Sequence, residues 1–113
     1  MAQPAVTEIE RRGGFVVVHV LPERLDESNL SAVRADTSAA GKETPSAAVV
    51  LDLAKVSFMP SLSLGGLIQI LQEFKARGQR LVLVSIQPMV RETMALTRLD
   101  RLFEIQDDLK SLV

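Results

Sequence analysis

Three short, mostly aliphatic runs, separated by segments long enough to form helices, constrain the fold of this chain more than any other feature. The runs are Phe15–Leu21, Ala47–Leu53 and Leu81–Ile86. Each is largely apolar at both alternating positions and rich in aliphatic residues, which is typical of strands covered on both faces. Parallel strands need a crossover of a dozen or more residues, usually a helix. The order of these segments therefore predicts an α/β fold with a mostly parallel sheet.

Two shorter segments are expected to extend this sheet. Val6–Arg12 alternates apolar and polar residues and ends at Gly13-Gly14, the pattern of an edge strand that leads into an antiparallel hairpin. A short last strand is expected over Leu102–Ile105, followed by a helical tail over 107–112. The prediction is thus a mixed, mostly parallel sheet of four to five strands with an antiparallel N-terminal edge.

The connections between the strands carry helix signals. A first helix follows the candidate N-cap residues between Leu25 and Asn29 and is expected to end near Gly41, with a loop over 41–45. A second begins at Ser61 and ends at Gly78, and a third begins at Pro88. Apolar residues three and four apart form one face of the second helix: Leu64, Leu67, Ile68, Leu71 and Phe74.

A chain of 113 residues can bury a hydrophobic core without disulfides or metals. We therefore expect a single domain over residues 1–113, with crossover helices packed on the sheet. The core is predicted to include these apolar residues: Val17, Val49, Leu51, Leu67, Leu71, Leu83 and Phe103.

The charge and cysteine content exclude several classes of protein. A formal net charge of −1 offers no general attraction to nucleic acid or anionic lipid, so we expect no direct nucleic-acid binding. The absence of Cys excludes disulfides and cysteine metal sites and favours a cytoplasmic location. The N-terminus lacks a signal-peptide pattern, and the longest uncharged stretch, 56–72, is too short for membrane insertion.

The sequence shows no convergent set of catalytic or metal-binding residues. His19 is the sole histidine and lies within a predicted strand, which favours an ordinary sheet position. Gly41-Lys42 lacks the upstream Gly and the following Ser or Thr of a phosphate-binding loop. Asp107-Asp108 is interpreted as the acidic first turn of the terminal helix. We therefore expect no enzymatic activity, no cofactor and no tightly bound metal.

The segment 58–67 places two hydroxyl groups at the start of a helix directly after a buried strand. A phosphate on Ser61 would be stabilised there by the free N–H groups and the dipole of the helix. A serine before an apolar helix is also a common N-cap, so capping and phosphorylation both remain open from the residues alone.

Several short motifs, in matching order and spacing, resemble the STAS domains of bacterial anti-sigma factor antagonists over nearly the whole chain. They are Leu25-Asp26 with Asn29, Val49–Leu53 followed by Val56–Met59, Leu64-Gly65 with Leu67, Gly78 before Leu81–Val84, and Val90-Arg91 leading to Leu96-Thr97, Leu99, Leu102-Phe103 and Ile105.

The resemblance implies a non-enzymatic protein that binds a kinase-like anti-sigma factor when it is unphosphorylated. It also implies that binding is lost when this kinase phosphorylates one serine. The acceptor motif of the family, Asp-Ser-Ser/Thr-Gly-Leu-Gly, falls on residues 60–65, so the acceptor position matches Ser61. Here Pro60 replaces the acidic residue, Leu62 replaces the second hydroxyl residue, and Ser63 replaces the first glycine.

The helix that starts at Ser61 also predicts a partner surface. The residues expected on the exposed face of this helix, away from the stripe that faces the sheet, are Leu62, Gly66 and Gln69. The alternative function, favoured by Pro60 and Leu62, is a STAS scaffold subunit of a signalling assembly or a lipid-transport complex, with Ser61 only a cap. A hydrolase or transferase that uses Ser61 as nucleophile would need His19 beside it as the base. The sequence leaves homo- and hetero-oligomers open.

Overall fold

A computed structural model describes residues 5–112, which form one five-stranded sheet. Strand β1 pairs antiparallel with β2, and β2, β3, β4 and β5 are mutually parallel. The strands lie side by side in chain order, so β1 and β5 are the edges. The predicted mixed, mostly parallel sheet with an antiparallel N-terminal edge is therefore confirmed. The strand bounds are Thr7–Arg12 for β1, Phe15–Val20 for β2, Ala48–Asp52 for β3, Leu81–Val84 for β4 and Glu104–Gln106 for β5.

Helices connect the parallel strands as predicted. They are α1 over Glu27–Glu43, α2 over Ser61–Arg77 and α3 over Pro88–Leu96, and short 3-10 turns cover Leu99–Arg101 and Leu109–Leu112. The side chain of Asp26 caps α1 by accepting the Ser28 N–H. Gly78 ends α2 in the left-handed conformation, at φ 67°, which glycine adopts without steric cost.

The sheet separates two groups of buried side chains. All three helices pack on one face, where the main hydrophobic core lies. The opposite face, which we call the open face, buries Val17, Val50, Val82 and Val84 beneath Phe15 and the last 3-10 turn. Every predicted core residue is buried: Val17, Val49, Leu51, Leu67, Leu71, Leu83 and Phe103.

The end of α1 differs from the sequence-based expectation. The helix was predicted to end near Gly41, but it continues through this residue to Glu43. Gly41 is buried, and a Cβ atom there would lie 2.6 Å from the Arg77 guanidinium and 2.9 Å from the Phe74 ring. The glycine therefore permits close packing against the end of α2 and does not terminate its own helix.

The later strands also differ at their ends. The fourth strand was predicted to reach Ile86, but it ends at Val84 because Ser85, at φ 58°, turns the chain away. The last strand lies later than predicted, at Glu104–Gln106, and the tail becomes helical only at Leu109. Asp107 and Asp108 therefore precede that turn. The single domain predicted for 1–113 stays a prediction, because 1–4 and 113 lie outside the described residues.

Candidate functional site

Ser61 is exposed and is the first residue of α2. The N-cap position belongs to Pro60, which has extended backbone angles (φ −65°, ψ 159°) and no side-chain acceptor. Of the two roles left open for Ser61, N-capping does not match this geometry, because α2 starts one residue earlier than a capping role for Ser61 would require. The Ser61 side chain therefore does not serve as the N-cap of α2, and the residue is exposed to solvent.

Ser63, the second hydroxyl residue of this segment, has the opposite environment. Its side chain is 1% exposed, and its Oγ donates a hydrogen bond of 2.6 Å to the Leu25 carbonyl oxygen. This bond ties the first turn of α2 to the loop between β2 and α1. Of the two hydroxyl groups, only that of Ser61 can be reached by another protein.

The two loops before α1 and α2 hold each other in place. The Leu25 N–H donates to the Phe58 carbonyl oxygen at 3.0 Å, and the Phe58 N–H donates to the Glu23 carbonyl oxygen at 3.1 Å. The Arg24 guanidinium lies 4.2 Å from the centre of the Phe58 ring, a cation–π contact. The N-termini of α1 and α2 are therefore fixed relative to one another, and Ser61 lies on a rigid support.

The N-terminus of α1 adds negative charge beside this support. Asp26 and Asn29 form a capping box, in which the Asn29 side chain accepts the Asp26 N–H at 3.0 Å. Hydrogen bonds from the side chain and backbone of Ser28 lower the pKa of Asp26, so its carboxylate is ionised at neutral pH. Asp26 and Glu27 line the same open recess as Pro60 and Leu62.

A groove of about 410 Å³ runs between α1 and α2 next to this recess. We call it the α1–α2 groove. Leu62 lies on its rim and is 61% exposed, and the Gln69 side chain accepts a 2.7 Å hydrogen bond from Arg34 of α1. The lining residues are Glu27, Leu30, Ser31 and Arg34 from α1 and Leu62, Gly65, Gly66 and Gln69 from α2.

The structure brings the three predicted partner residues to this groove, but they do not all lie on one exposed face of α2. Leu62 and Gln69 are exposed as expected, whereas Gly66 is buried. A Cβ atom at Gly66 would lie 2.3 Å from a methyl carbon of Leu30, so Gly66 forms the floor where α1 crosses α2. Its expected exposure was wrong because α2 buries a second stripe against α1 in addition to the stripe that faces the sheet.

Sequence reasoning missed the contribution of α1 to the groove. Glu27, Leu30, Ser31 and Arg34 recur at spacings of three or four residues, which places them on one face of a helix. That signal was present in the sequence. It pointed to a shared face but could not show that this face lies beside α2.

His19 lies in β2, as predicted, and both of its ring nitrogens contact acidic side chains. Its Nδ1 lies 2.7 Å from an Asp52 carboxylate oxygen and its Nε2 lies 2.7 Å from a Glu10 carboxylate oxygen. Because the two acids contact opposite edges of the ring, they do not converge on one point. Within residues 5–112, no group of three or more His, Asp or Glu side chains is arranged to hold a metal ion.

Comparisons with known proteins agree with this architecture. A family model described as the STAS domain matches residues 6–112. The crystal structure of an anti-sigma factor antagonist from Mycobacterium paratuberculosis is similar, with 25% identity and a TM-score of 0.79, over 98% of this chain and 94% of the other.

Over residues 5–112, no helix is long and apolar enough to cross a lipid bilayer.

Two structures of the anti-sigma factor antagonist SpoIIAA share the fold. The unphosphorylated form is 20% identical, with a TM-score of 0.73, and the match covers 94% of this chain and 92% of the other. The phosphorylated form of the Bacillus protein is 19% identical, with a TM-score of 0.66, over 94% and 96% of the two chains. At these identities the likeness concerns the fold alone.

Proposed function

The chain belongs to the STAS domain family, and from that membership we propose that it is a non-enzymatic binding module that acts as an anti-sigma factor antagonist. Its partner in this proposal is a kinase-like anti-sigma factor. The unphosphorylated chain binds this partner through the α1–α2 groove and the adjacent start of α2. Phosphorylation of Ser61 by the same partner weakens the complex.

The observation that carries the proposal is the contrast between Ser61 and Ser63. Ser61 is exposed at the first position of α2, whereas the Ser63 hydroxyl is buried and bonded to Leu25. A phosphate on Ser61 would lie beside the free N–H groups of the helix N-terminus, which favour negative charge. The phosphorylated protein should therefore stay folded while its surface changes.

The groove explains why phosphorylation would weaken binding. A partner that covers Leu62 must remove water from the start of α2. A phosphate adds roughly −1.5 to −2 charges at neutral pH, close to a recess that already carries Asp26 and Glu27. Burying that group costs desolvation free energy, and an acidic partner surface would also be repelled.

Phosphate mapping tests the regulated residue. The kinase-like partner is isolated by co-purification from native lysate and incubated with ATP and the purified chain, and the product is mapped by mass spectrometry. We expect one phosphoryl group on Ser61, none in the Ser61→Ala variant, and continued labelling of Ser61 in the Ser63→Ala variant. Phosphate on any other residue, with Ser61 unmodified, would contradict the proposal.

Substitutions at the start of α2 test the binding surface. Ser61→Asp introduces negative charge, and Leu62→Lys places a charge on the rim of the groove without involving phosphorylation. Leu96→Lys is the matched control, because Leu96 is 79% exposed on α3. We expect the first two variants to bind the partner at least tenfold more weakly and the control to bind normally. Wild-type affinity of all three variants, with native circular dichroism, would exclude this surface.

Pro60 favours a second candidate function, in which the chain is a STAS scaffold subunit of a signalling assembly or a lipid-transport complex. The N-cap before Ser61 is a proline that fixes the backbone and has no acidic side chain to contact a kinase or its magnesium nucleotide. This candidate predicts that Leu62→Lys releases the partner while no phosphate is ever found on Ser61. The mapping experiment therefore separates the two functions.

We propose no catalytic role for Ser61. A serine nucleophile needs a base within hydrogen-bond reach. Both ring nitrogens of His19, the sole histidine, contact carboxylates on the open face. The ring is therefore engaged on the side of the sheet opposite to the helices.

A further inference from the structure

The His19 ring on the open face is held between two carboxylates from different strands. Its contacts with Glu10 and Asp52 are both 2.7 Å long. A neutral imidazole has one N–H, so it can donate to only one of these acids, and its other nitrogen presents a lone pair to the second carboxylate. The imidazolium form donates to both. The arrangement therefore fits a positively charged ring.

The three residues join three neighbouring strands. Asp52 of β3 lies directly opposite His19 of β2 in the parallel register. Glu10 of β1 is paired with Val17, two residues from His19 on the same face, and reaches the ring diagonally. Because β1 is an edge strand, the ring links the edge of the sheet to its interior.

We propose that His19, Glu10 and Asp52 form a protonation-dependent clamp that fastens strand β1 to strand β3 across strand β2. The protonated ring donates a hydrogen bond to each acid. When the ring loses its proton, one of the two bonds is lost and β1 is held less firmly on the open face. We call this group the His19 clamp.

The charges around the clamp are mainly negative. Arg12 of β1 donates to the second oxygen of Glu10 and thereby orients this carboxylate, and the neighbour of Asp52 on β4 is the uncharged Val84. The acidic surroundings favour the cationic ring. The other charged groups of the elements that pack on or beside this face are Glu8 of β1, Glu104 of β5, which pairs with Arg80, and Asp107, Asp108 and Lys110 at the last 3-10 turn.

The pKa of His19 is consistent with this geometry. Partial burial lowers the pKa, but the hydrogen bonds to Glu10 and Asp52 together outweigh burial and raise it above its ordinary value. A raised pKa stabilises the folded form at a pH below the unfolded pKa, and this stabilisation is lost as the pH rises through the folded pKa. The clamp is therefore closed below the ordinary pKa of histidine and opens as the pH rises through the raised pKa of His19.

Two contacts on the helix face hold β1 independently of the clamp. The Thr7 hydroxyl donates to Asp36 at 2.6 Å, and Arg11 pairs with Glu43 at 3.3 Å. Neither contact involves a histidine, the side chain whose ordinary pKa lies closest to neutral pH, and neither includes a residue of the clamp. Deprotonation of His19 should therefore loosen β1 locally and leave the rest of the sheet in place.

The test combines a histidine titration with amide hydrogen exchange on the whole chain. His19 is the sole histidine, so its ring carbon-bound protons give an unambiguous NMR titration. We expect its pKa to lie above about 6.5 and to fall in the Glu10→Gln and Asp52→Asn variants. Protection of β1 amides, corrected for the intrinsic exchange rate, should decrease through the same pKa, by up to tenfold for each unit of pKa shift.

Two controls separate the clamp from general changes in stability. His19→Asn should remove the pH-dependent part of β1 protection, whereas Arg11→Gln should lower protection equally at every pH. Amides of β5, at the other edge, serve as an internal reference. A His19 pKa at or below 6.5, or the same pH dependence in the His19→Asn variant, would overturn the proposal. Should His19→Asn fail to fold, a titration of Glu10→Gln with an unchanged pKa would also overturn it.

Discussion

Two adjacent glycines in α2 are predicted to respond in opposite directions to the same substitution. A Cβ atom at Gly65 would meet no heavy atom within 4 Å, whereas one at Gly66 would lie 2.3 Å from Cδ2 and 2.9 Å from Cγ of Leu30. Both residues are helical and lie in the first half of α2. Replacing each in turn by alanine therefore isolates the packing of α1 against α2 from the helix preference of the residue itself.

The magnitudes follow from two opposing contributions. Alanine is favoured over glycine within a helix by about 0.8–1 kcal/mol, and Gly65→Ala should gain this amount. Gly66→Ala gains the same preference but must displace Leu30, and overpacking of this kind costs about 1–3 kcal/mol. We expect a net loss of about 1 kcal/mol for Gly66→Ala. The two variants should then differ by about 2 kcal/mol, or roughly 8 °C in melting temperature for a domain of this size.

Thermal and urea unfolding, followed by circular dichroism, measure this difference. The double variant Leu30→Ala/Gly66→Ala provides a further check, because removing the Leu30 methyl groups makes room for the added Cβ. Its loss of stability should be smaller than the sum of the two single losses. If Gly65→Ala and Gly66→Ala raise the melting temperature equally, the close approach of α1 and α2 at Gly66 does not exist in solution.

Three other changes test the core and the backbone. Leu51→Ala should cost about 2–5 kcal/mol in urea unfolding, because Leu51 is fully buried in the core; a neutral result would contradict the placement of β3. Gln79→Leu should cost about 1–3 kcal/mol, because the two N–H groups of the Gln79 amide are shared among the carbonyl oxygens of Gly41, Thr44 and Ala47, each 3.0 Å from Nε2. Arg98→Gly should stabilise the chain by about 1 kcal/mol, because Arg98 has a φ of 61°; unchanged stability would argue against that conformation. Elemental analysis should find no stoichiometric zinc or iron, since the chain has one His and no Cys.

The order of the elements and the composition of the core follow from local patterns in the sequence. Runs that are apolar at both odd and even positions identify strands covered on two faces. Apolar residues that repeat about every 3.6 positions identify the face of α2 that contacts the sheet. Gly78 marks the end of α2, and the candidate caps between Leu25 and Asn29 mark the start of α1, because the chemistry of a cap depends on a few neighbouring residues. These features require no knowledge of distant parts of the chain.

The candidate site depended on contacts between residues far apart in sequence. Periodicity placed Gly66 on one side of α2, but this residue is buried because α1 crosses α2 at Leu30. The hydroxyl group of Ser63 is buried and bonded to the Leu25 carbonyl oxygen, whereas Ser61 is exposed. The His19 clamp likewise exists only because three strands bring Glu10 and Asp52 to opposite edges of one ring. A local pattern assigns each side chain to a face, whereas helix crossings and strand register determine which groups it meets there.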